Sequence, residues 1–298
     1  MRLAAIDIGS NAARLLISDV IPGSKGRPEF VKVSLVRVPL RLGFDVFDKA
    51  EISDIKAEKI LKTIQSYKYL LDVYDVKHLK ACATSAMRDA RNSGEIISKV
   101  KAETGIEIKV ISGQEEASFI YENHIAEGLT DAESYLYIDV GGGSTELTFF
   151  SDGKLVFKES FNIGTIRLLK NQVSDAMWDE MKDFIKAKTK GYHHVTAIGS
   201  GGNINKIFSL SKRKEGKPLT LELLRDYFKE FNSLTVTQRI SMYKLREDRA
   251  DVIVPALLIY INVMRWTDAE EIFVPKIGLA DGLIYTLYDE VKQLYDPL

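Results

Sequence analysis

The sequence predicts an α/β protein built on an internal duplication, and three observations carry that expectation. Strand-like and helix-like segments alternate along the chain, which is the pattern of an α/β fold. The stretch AIDIGSNAARLL at residues 5–16 superposes without a gap on YIDVGGGSTELT at residues 137–148. Asp7 then matches Asp139, Gly9 matches Gly141 and Leu15 matches Leu147, all at one offset of 132 residues. The chain has 298 residues, 45% hydrophobic and 28% charged, with a formal net charge of -1. That is soluble globular composition, enough for one large domain or two of usual size.

Taken in order, LAAIDIG and ARLLISDV bracket the first glycine turn as a hairpin, and FVKVSLVRVPLRLG supplies a third strand. From Ser53 the run SDIKAEKILKTIQSYKYLLDVY sets Ile60, Leu61, Ile64, Leu71 and Tyr74 at helical spacing, with Ser53 as the N-cap. HLKACATS reads as a strand, RNSGEIISKVKAETG as a short helix ending at Gly105, and IEIKVIS as another strand. A helix begins in SGQEEASFIYENHI. The second half repeats the plan. YLYIDVGG, ELTFFSDG and KLVFKESFNIG read as three antiparallel strands. SDAMWDEMKDFIKAKTK is an amphipathic helix with Met177, Trp178, Met181, Phe184 and Ile185 on one face. VTAIGSGGNINKIF reads as strand, glycine loop and helix. LELLRDYFKEF and RADVIVPALLIYINVMRW are helical, EIFVP is a strand, GLADG a loop, and LIYTLYDEVKQL a closing helix. One lobe is expected over residues 1–124, completed by the C-terminal helix at about 283–298, and the other over 125–282.

Composition excludes several classes of function. A near-neutral charge balance leaves no electrostatic footprint for nucleic acid or an anionic membrane. The single cysteine, Cys82, rules out a disulfide framework and a cysteine-based zinc site within the chain. Its apolar setting, LKACATSA, marks it as a small buried side chain. The four histidines, His78, His124, His193 and His194, show no HExxH-type spacing and read as surface or loop residues. The longest apolar stretch, VIVPALLIYINVM, is too short to span a bilayer, and no secretory leader is expected ahead of the opening strand. The cytoplasm is the expected compartment.

The repeated glycine turns suggest chemistry. Such a turn lets backbone N–H groups converge into an anion-binding nest and lets a phosphate approach the main chain with no Cβ in the way. Ser10, Ser144 and Thr145 add hydroxyls beside the turns. A strand-end Asp cannot bind phosphate directly, but Asp7 or Asp139 can hold Mg2+, which bridges to phosphate oxygens. Neither turn fits the P-loop, which needs a lysine after the glycines, or the Rossmann GxGxxG. Two hairpin turns that merely need glycine are the competing reading. Their matching register across the duplication favours phosphate binding between two lobes.

AIDIGSNAARLLI, ATSAMRDARN, ISGQEEA, DVGGGSTEL, IGTIRL, GSGGN and RADVIVPALLIY occur in that order. Together they resemble the exopolyphosphatase/guanosine pentaphosphate phosphohydrolase (Ppx/GppA) family of the actin-like ATPase superfamily, from about residue 3 into the 280s. The resemblance implies two actin-like (ribonuclease H-like) lobes with a cleft between them and a magnesium requirement. It implies release of terminal phosphate from inorganic polyphosphate, with short chains as the expected preference. Hydrolysis of guanosine pentaphosphate is the alternative. A non-catalytic regulator binding guanosine penta- or tetraphosphate is a reading from another class. A kinase reading is weakened by the EEA helix and a poor adenosine-type loop. A homodimer is the assembly to test.

Phosphoanhydride hydrolysis needs charge neutralisation, positioning and a base or water-orienting group. Ser112 and Glu115 form a capping box, which gives Glu115 a structural duty. Glu116 has none, and it sits in the first helical turn, where the dipole favours its ionised form. The resemblance makes Glu116 the catalytic base, against the alternative of a solvated helix-start carboxylate. Arg88 follows a predicted strand and suits a permanently charged phosphate clamp, a role the resemblance also implies, whereas Arg91 reads as a surface residue. The phosphate-binding set is Gly9, Ser10, Asn11, Arg88, Gly141, Gly142, Gly143, Ser144 and Thr145, and the metal set is Asp7, Asp139 and Glu146. Of these, Asn11, Gly142, Gly143, Ser144 and Glu146 are placed by the resemblance. Gly199, Gly201 and Gly202 form a third loop, either a nucleotide site or a tight strand-to-helix turn. The run Lys212, Arg213, Lys214 and Lys217 reads as a solvated loop, with guidance of a polyanion as the alternative.

Three departures from the family pattern stand out. Ala12 replaces a usual serine, Asn203 a threonine-like position, and LADG a frequent LREG. Long members also carry a helical HD-like region that this sequence does not show, so processive action on long polyphosphate is not expected.

Overall fold

The computed structural model describes residues 1–23, 28–122, 134–275 and 277–294. The chain divides into two compact units, Met1–Asn123 with Leu279–Leu298, and His124–Gly278. His124 and the junction expected at 124/125 lie outside the described residues.

Unit 1 opens with β1 (Arg2–Ile8), β2 (Ala12–Pro22) and β3 (Pro28–Pro39), an antiparallel meander. Helices α1 (Gly43–Lys49) and α2 (Asp54–Val73) lead to β4 (His78–Ala83), which lies parallel to β1. Then come α3 (Ser85–Asp89), α4 (Ser93–Thr104), β5 (Lys109–Val110) and α5 (Gly113–Glu122). The sheet order is β3-β2-β1-β4-β5. Two details differ from the sequence reading. Ser53 holds the extended N-cap position of α2, but its hydroxyl donates to Asp45 Oδ2 at 2.6 Å instead of capping the helix. The charged acceptor makes the stronger bond. The strand expected over IEIKVIS shrinks to Lys109–Val110, because the Ile106 amide is taken by Thr104 Oγ1 at 3.1 Å rather than by a ladder partner.

Unit 2 repeats the meander with β6 (Ser134–Val140), β7 (Thr145–Ser151) and β8 (Lys154–Phe161). It continues through α6 (Thr165–Leu169), α7 (Asp175–Thr189), β9 (Val195–Ser200) and α8 (Gly202–Ser211). After β10 (Leu219–Thr220) come α9 (Leu221–Ser233), α10 (Val236–Tyr243), α11 (Glu247–Ala250), α12 (Ile253–Trp266) and β11 (Glu271–Phe273). Its sheet order is β10-β11-β9-β6-β7-β8. Counted outward from each hairpin, both sheets have the actin-like (ribonuclease H-like) order, with an antiparallel meander on one side and two parallel strands on the other, and unit 2 adds β10 as an antiparallel edge strand. The duplication is therefore one of architecture as well as sequence. Met181 and Ile185 of α7 are buried, and Met177, Trp178 and Phe184 pack beside them on the unit 2 core, so the predicted apolar face is the packing face.

The chain returns to unit 1 as α13 (Leu279–Val291). The expected loop GLADG is instead the entry to this helix. Leu279 and Ala280 extend the stripe of Leu283, Ile284 and Leu287, which packs on Leu3, Ala5 and Leu16. Among the described residues no helix is long and apolar enough to cross a membrane.

Candidate active site

Unit 2 places two carboxylates side by side. Asp139 near the end of β6 stands directly opposite Glu146 on β7. Cross-strand partners share a sheet face, and each residue offers a carboxylate oxygen within 4.8 Å of the other's. Glu146 is buried, and Ser160 Oγ donates to its Oε1 at 2.9 Å. Adjacent like charges at low exposure repel, and a pair of hard oxygen donors suits a small divalent cation. These residues could hold a metal ion. Asp139 is also hemmed in by the third glycine loop. Gly201 has φ +102°, and a Cβ there would lie 3.0 Å from Asp139 Oδ1. Tyr260 donates its hydroxyl to the Ser200 carbonyl beside that loop. Burial, together with the Asp139 charge, pushes the Tyr260 phenol well above its ordinary pKa.

The glycine turn between β6 and β7 has its carbonyls turned one way. The Gly141 amide closes the hairpin on Ser144 O at 2.9 Å. Gly141 O accepts from the Thr165 amide at 3.0 Å, Gly142 O from Ile166 at 2.8 Å, and Gly143 O from Arg167 Nε at 2.7 Å. Among the described residues, the amides of Gly142, Gly143 and Ser144 donate to no backbone carbonyl. They are the donors of an anion nest. Thr145 Oγ1 donates inward to Ile163 O at 2.6 Å, so this hydroxyl braces the turn from behind.

The matching turn in unit 1 closes in the same way, with the Gly9 amide on Ala12 O at 3.0 Å. Its strand-end acid has a different partner. Asp7 stands opposite Arg14 and is bridged to it at 2.6 Å, so a guanidinium occupies the position that Glu146 takes in unit 2. Ser10 Oγ is buried against Ser85 Oγ at 2.8 Å, which ties the turn to α3. Asn11 O accepts from the Arg41 amide at 2.9 Å.

Farther along unit 1, Arg88 on α3 donates from Nη1 to Ile111 O at 2.9 Å, just ahead of α5. The capping box expected there is formed. The Glu115 amide donates to Ser112 Oγ at 3.1 Å, and the Ser112 amide donates to Glu115 Oε2 at 2.9 Å. A bond from Lys109 to Glu115, together with the Ser112 amide, holds the Glu115 carboxyl down at about 2. Its neighbour Glu116 is buried at 7% exposure. One carboxylate therefore serves the helix start, and the next is kept from bulk water. Arg91 is exposed and bonds to Lys49 O at 3.1 Å, a brace on α1. Cys82 is buried, and burial raises its thiol to about 11. Lys212–Lys217 is an exposed loop, and His193 and His194 are exposed as well.

A profile of the Ppx/GppA phosphatase family matches residues 23–291. The chain belongs to the Ppx/GppA phosphatase family. Exopolyphosphatase 1 of Mycobacterium tuberculosis (strain ATCC 25618 / H37Rv) is 27% identical to this Ppx/GppA member over 313 residues, covering 97% of this chain and 89% of the relative. Guanosine-5'-triphosphate,3'-diphosphate pyrophosphatase of Aeromonas salmonicida (strain A449) is 23% identical, covering 95% of this chain and 59% of its own length. A crystal structure of the Aquifex aeolicus Ppx/GppA member aligns with a TM-score of 0.75 at 25% identity, over 100% of this chain and 99% of the other.

Several residues of this Ppx/GppA chain escaped the sequence reading. Arg14 was visible in the repeat, since the offset of 132 residues pairs it with Glu146. Gly164 and Arg167 sat inside the quoted IGTIRL with no role assigned. A Cβ on Gly164 would lie 2.5 Å from Gly142 O, so only glycine lets α6 meet the turn. Ser160 and Tyr260 act through contacts between distant segments, which no local spacing reveals.

Proposed function

We propose that the protein is a magnesium-dependent phosphohydrolase that removes terminal phosphate from inorganic polyphosphate. The observation that carries this reading is the hairpin of unit 2, where a carboxylate pair adjoins three glycine-turn amides with no backbone acceptor. Gly142, Gly143 and Ser144 bind phosphate oxygens through the main chain. Asp139 and Glu146 hold the metal, and Mg2+ bound there supplies positive charge for the phosphate oxygens. Asp7 is already neutralised by Arg14 and is left out of the metal set. In unit 1, Gly9, Ser10 and Asn11 form the second phosphate turn, and Arg88 clamps a phosphate by charge-assisted hydrogen bonds. Glu116, buried and free of the capping duty of Glu115, orients the attacking water and takes its proton. The cytoplasm is the compartment of this reading, and a homodimer is its expected assembly, which light scattering checks.

A second substrate class is supported by the Aeromonas relative, a guanosine-5'-triphosphate,3'-diphosphate pyrophosphatase. One panel decides between them. Phosphate release is measured from tripolyphosphate, long-chain polyphosphate and guanosine pentaphosphate, each with and without magnesium. Release from tripolyphosphate that needs magnesium and falls at least about a hundredfold in Asp139→Asn is the expected result. Tight binding of guanosine pentaphosphate with no release from any substrate would leave a regulator and overturn the enzyme reading.

A further inference from the structure

The geometry points to Arg167 as a positioning residue that aims the Ser144 amide of the phosphate turn, an inference that rests on the reading of that turn given above. A trans peptide is planar, with C=O and N–H on opposite sides. The carbonyl of Gly141 therefore aims the amide of Gly142, that of Gly142 aims Gly143, and that of Gly143 aims Ser144. Glycine backbone accepts more orientations than any other, and the one bond within the turn, Gly141 N–H to Ser144 O, leaves the carbonyls of Gly142 and Gly143 unheld.

The selection comes from α6. Main-chain amides of Thr165 and Ile166 take the first two carbonyls at 3.0 and 2.8 Å, and any side-chain replacement but proline leaves those donors in place. The third carbonyl, Gly143 O, is held at 2.7 Å by Arg167 Nε. The duplicated turn of unit 1 shows what is particular here. Ser10 O, at the position of Gly142 O, accepts from the Gly43 amide at 2.9 Å. Asn11 O, at the position of Gly143 O, accepts from the Arg41 amide at 2.9 Å. Both units hold both tip carbonyls from outside the turn. In unit 1 main-chain amides take both, whereas in unit 2 a side chain takes the second carbonyl. Arg167 is thus the place where one substitution re-aims an amide without altering the turn's own sequence.

An arginine beside a phosphate turn has a competing role as a plain cation, and two substitutions separate the two. In Arg167→Gln, Nε2 lies the same number of bonds from Cα as Arg Nε, so the donor is kept and the charge removed. In Arg167→Met the reach is similar and the donor is gone. Two readouts are taken: the Ser144 amide resonance in the free protein, and tripolyphosphate affinity by calorimetry in magnesium. Arg167→Met is expected to shift or broaden the Ser144 amide and to weaken tripolyphosphate about tenfold, the scale of one hydrogen bond to a charged group. Arg167→Gln is expected to stay close to the wild-type protein in both. If Arg167→Met changes neither readout, or if Arg167→Gln loses as much affinity as Arg167→Met, the positioning role is overturned. Should Arg167→Met fail to fold, Arg167→Gln alone decides, wild-type affinity supporting the role and a tenfold loss refuting it. A wild-type protein that does not bind tripolyphosphate would defeat the functional reading only, because the Ser144 resonance in the free protein still reports on the aim of the turn.

Discussion

Glu115 and Glu116 are consecutive, chemically identical side chains with different surroundings. Glu115 is tied to Lys109 at 2.7 Å and to the Ser112 amide at 2.9 Å, both bonds that favour its charged form. Its carboxyl is held down to about 2, so the stabilisation it lends α5 is complete above the ordinary glutamate value of about 4.3 and is lost as pH falls toward 2. Carboxyl-detected NMR of Glu115 is expected to show a midpoint near 2. An ordinary midpoint would mean that the capping box does not persist in solution. Two arginines make a parallel contrast. Arg88, half-buried at the entrance to α5, suits a planar clamp that a lysine point charge does not reproduce. Arg88→Lys is expected to cut kcat/KM for tripolyphosphate by about tenfold or more with the fold intact, a loss of the size of one charge-assisted bond. Arg91→Lys, on an exposed brace, is expected to stay within about twofold of the wild-type enzyme, as changes at such surface bonds do. Equal small losses from both would remove Arg88 from the site.

Among the elements, α6 and the glycine turn are pressed together at Gly164. Gly164→Ala puts a Cβ 2.5 Å from Gly142 O, and main chain cannot move aside cheaply. Overpacking of this kind costs about 1–3 kcal/mol, and the displaced turn is expected to lose tripolyphosphate affinity as well. Gly94→Ala, in the first turn of α4 with open space where the Cβ would go, is the control. It is expected to be neutral or to stabilise by up to about 1 kcal/mol. Thermal melts of both variants check the pair, and equal melting temperatures would contradict the packing described at the turn. The same elements show what can be read from sequence. The two hairpins were open to inspection, because the repeat supplies the glycine turn between strand-like runs twice, whereas their register, with Asp7 opposite Arg14 and Asp139 opposite Glu146, comes from the structure. The apolar face of α7 was readable too, since Met181 and Ile185 recur at helical spacing. The hold on Gly143 O was not readable, because its donor lies on Arg167, beyond two further strands. The start of α13 was missed for a related reason. A glycine-containing LADG looks like a loop until Leu279 is seen packing with Leu283 against β1 and β2.

At the scale of the whole molecule, two sheets share a five-strand order, to which unit 2 adds the edge strand β10, and carry different chemistry at corresponding positions. Unit 2 has an acid, Glu146, opposite its strand-end aspartate, whereas unit 1 carries Arg14 there. In the proposed function the hairpin of unit 2 binds phosphate and metal, and Glu116 of unit 1 is the water-orienting base. Binding and turnover should therefore separate under substitution. Glu116→Gln keeps shape and most hydrogen bonding but removes basicity, and loss of a general base costs about 10²–10⁴-fold in rate. The most direct test measures magnesium-dependent phosphate release and tripolyphosphate affinity side by side in the wild-type protein and in Glu116→Gln. Glu116→Gln is expected to have a kcat lower by that factor, with affinity within about threefold and an unchanged melting temperature. A Glu116→Gln protein that retains most of its phosphate release would contradict the proposed function.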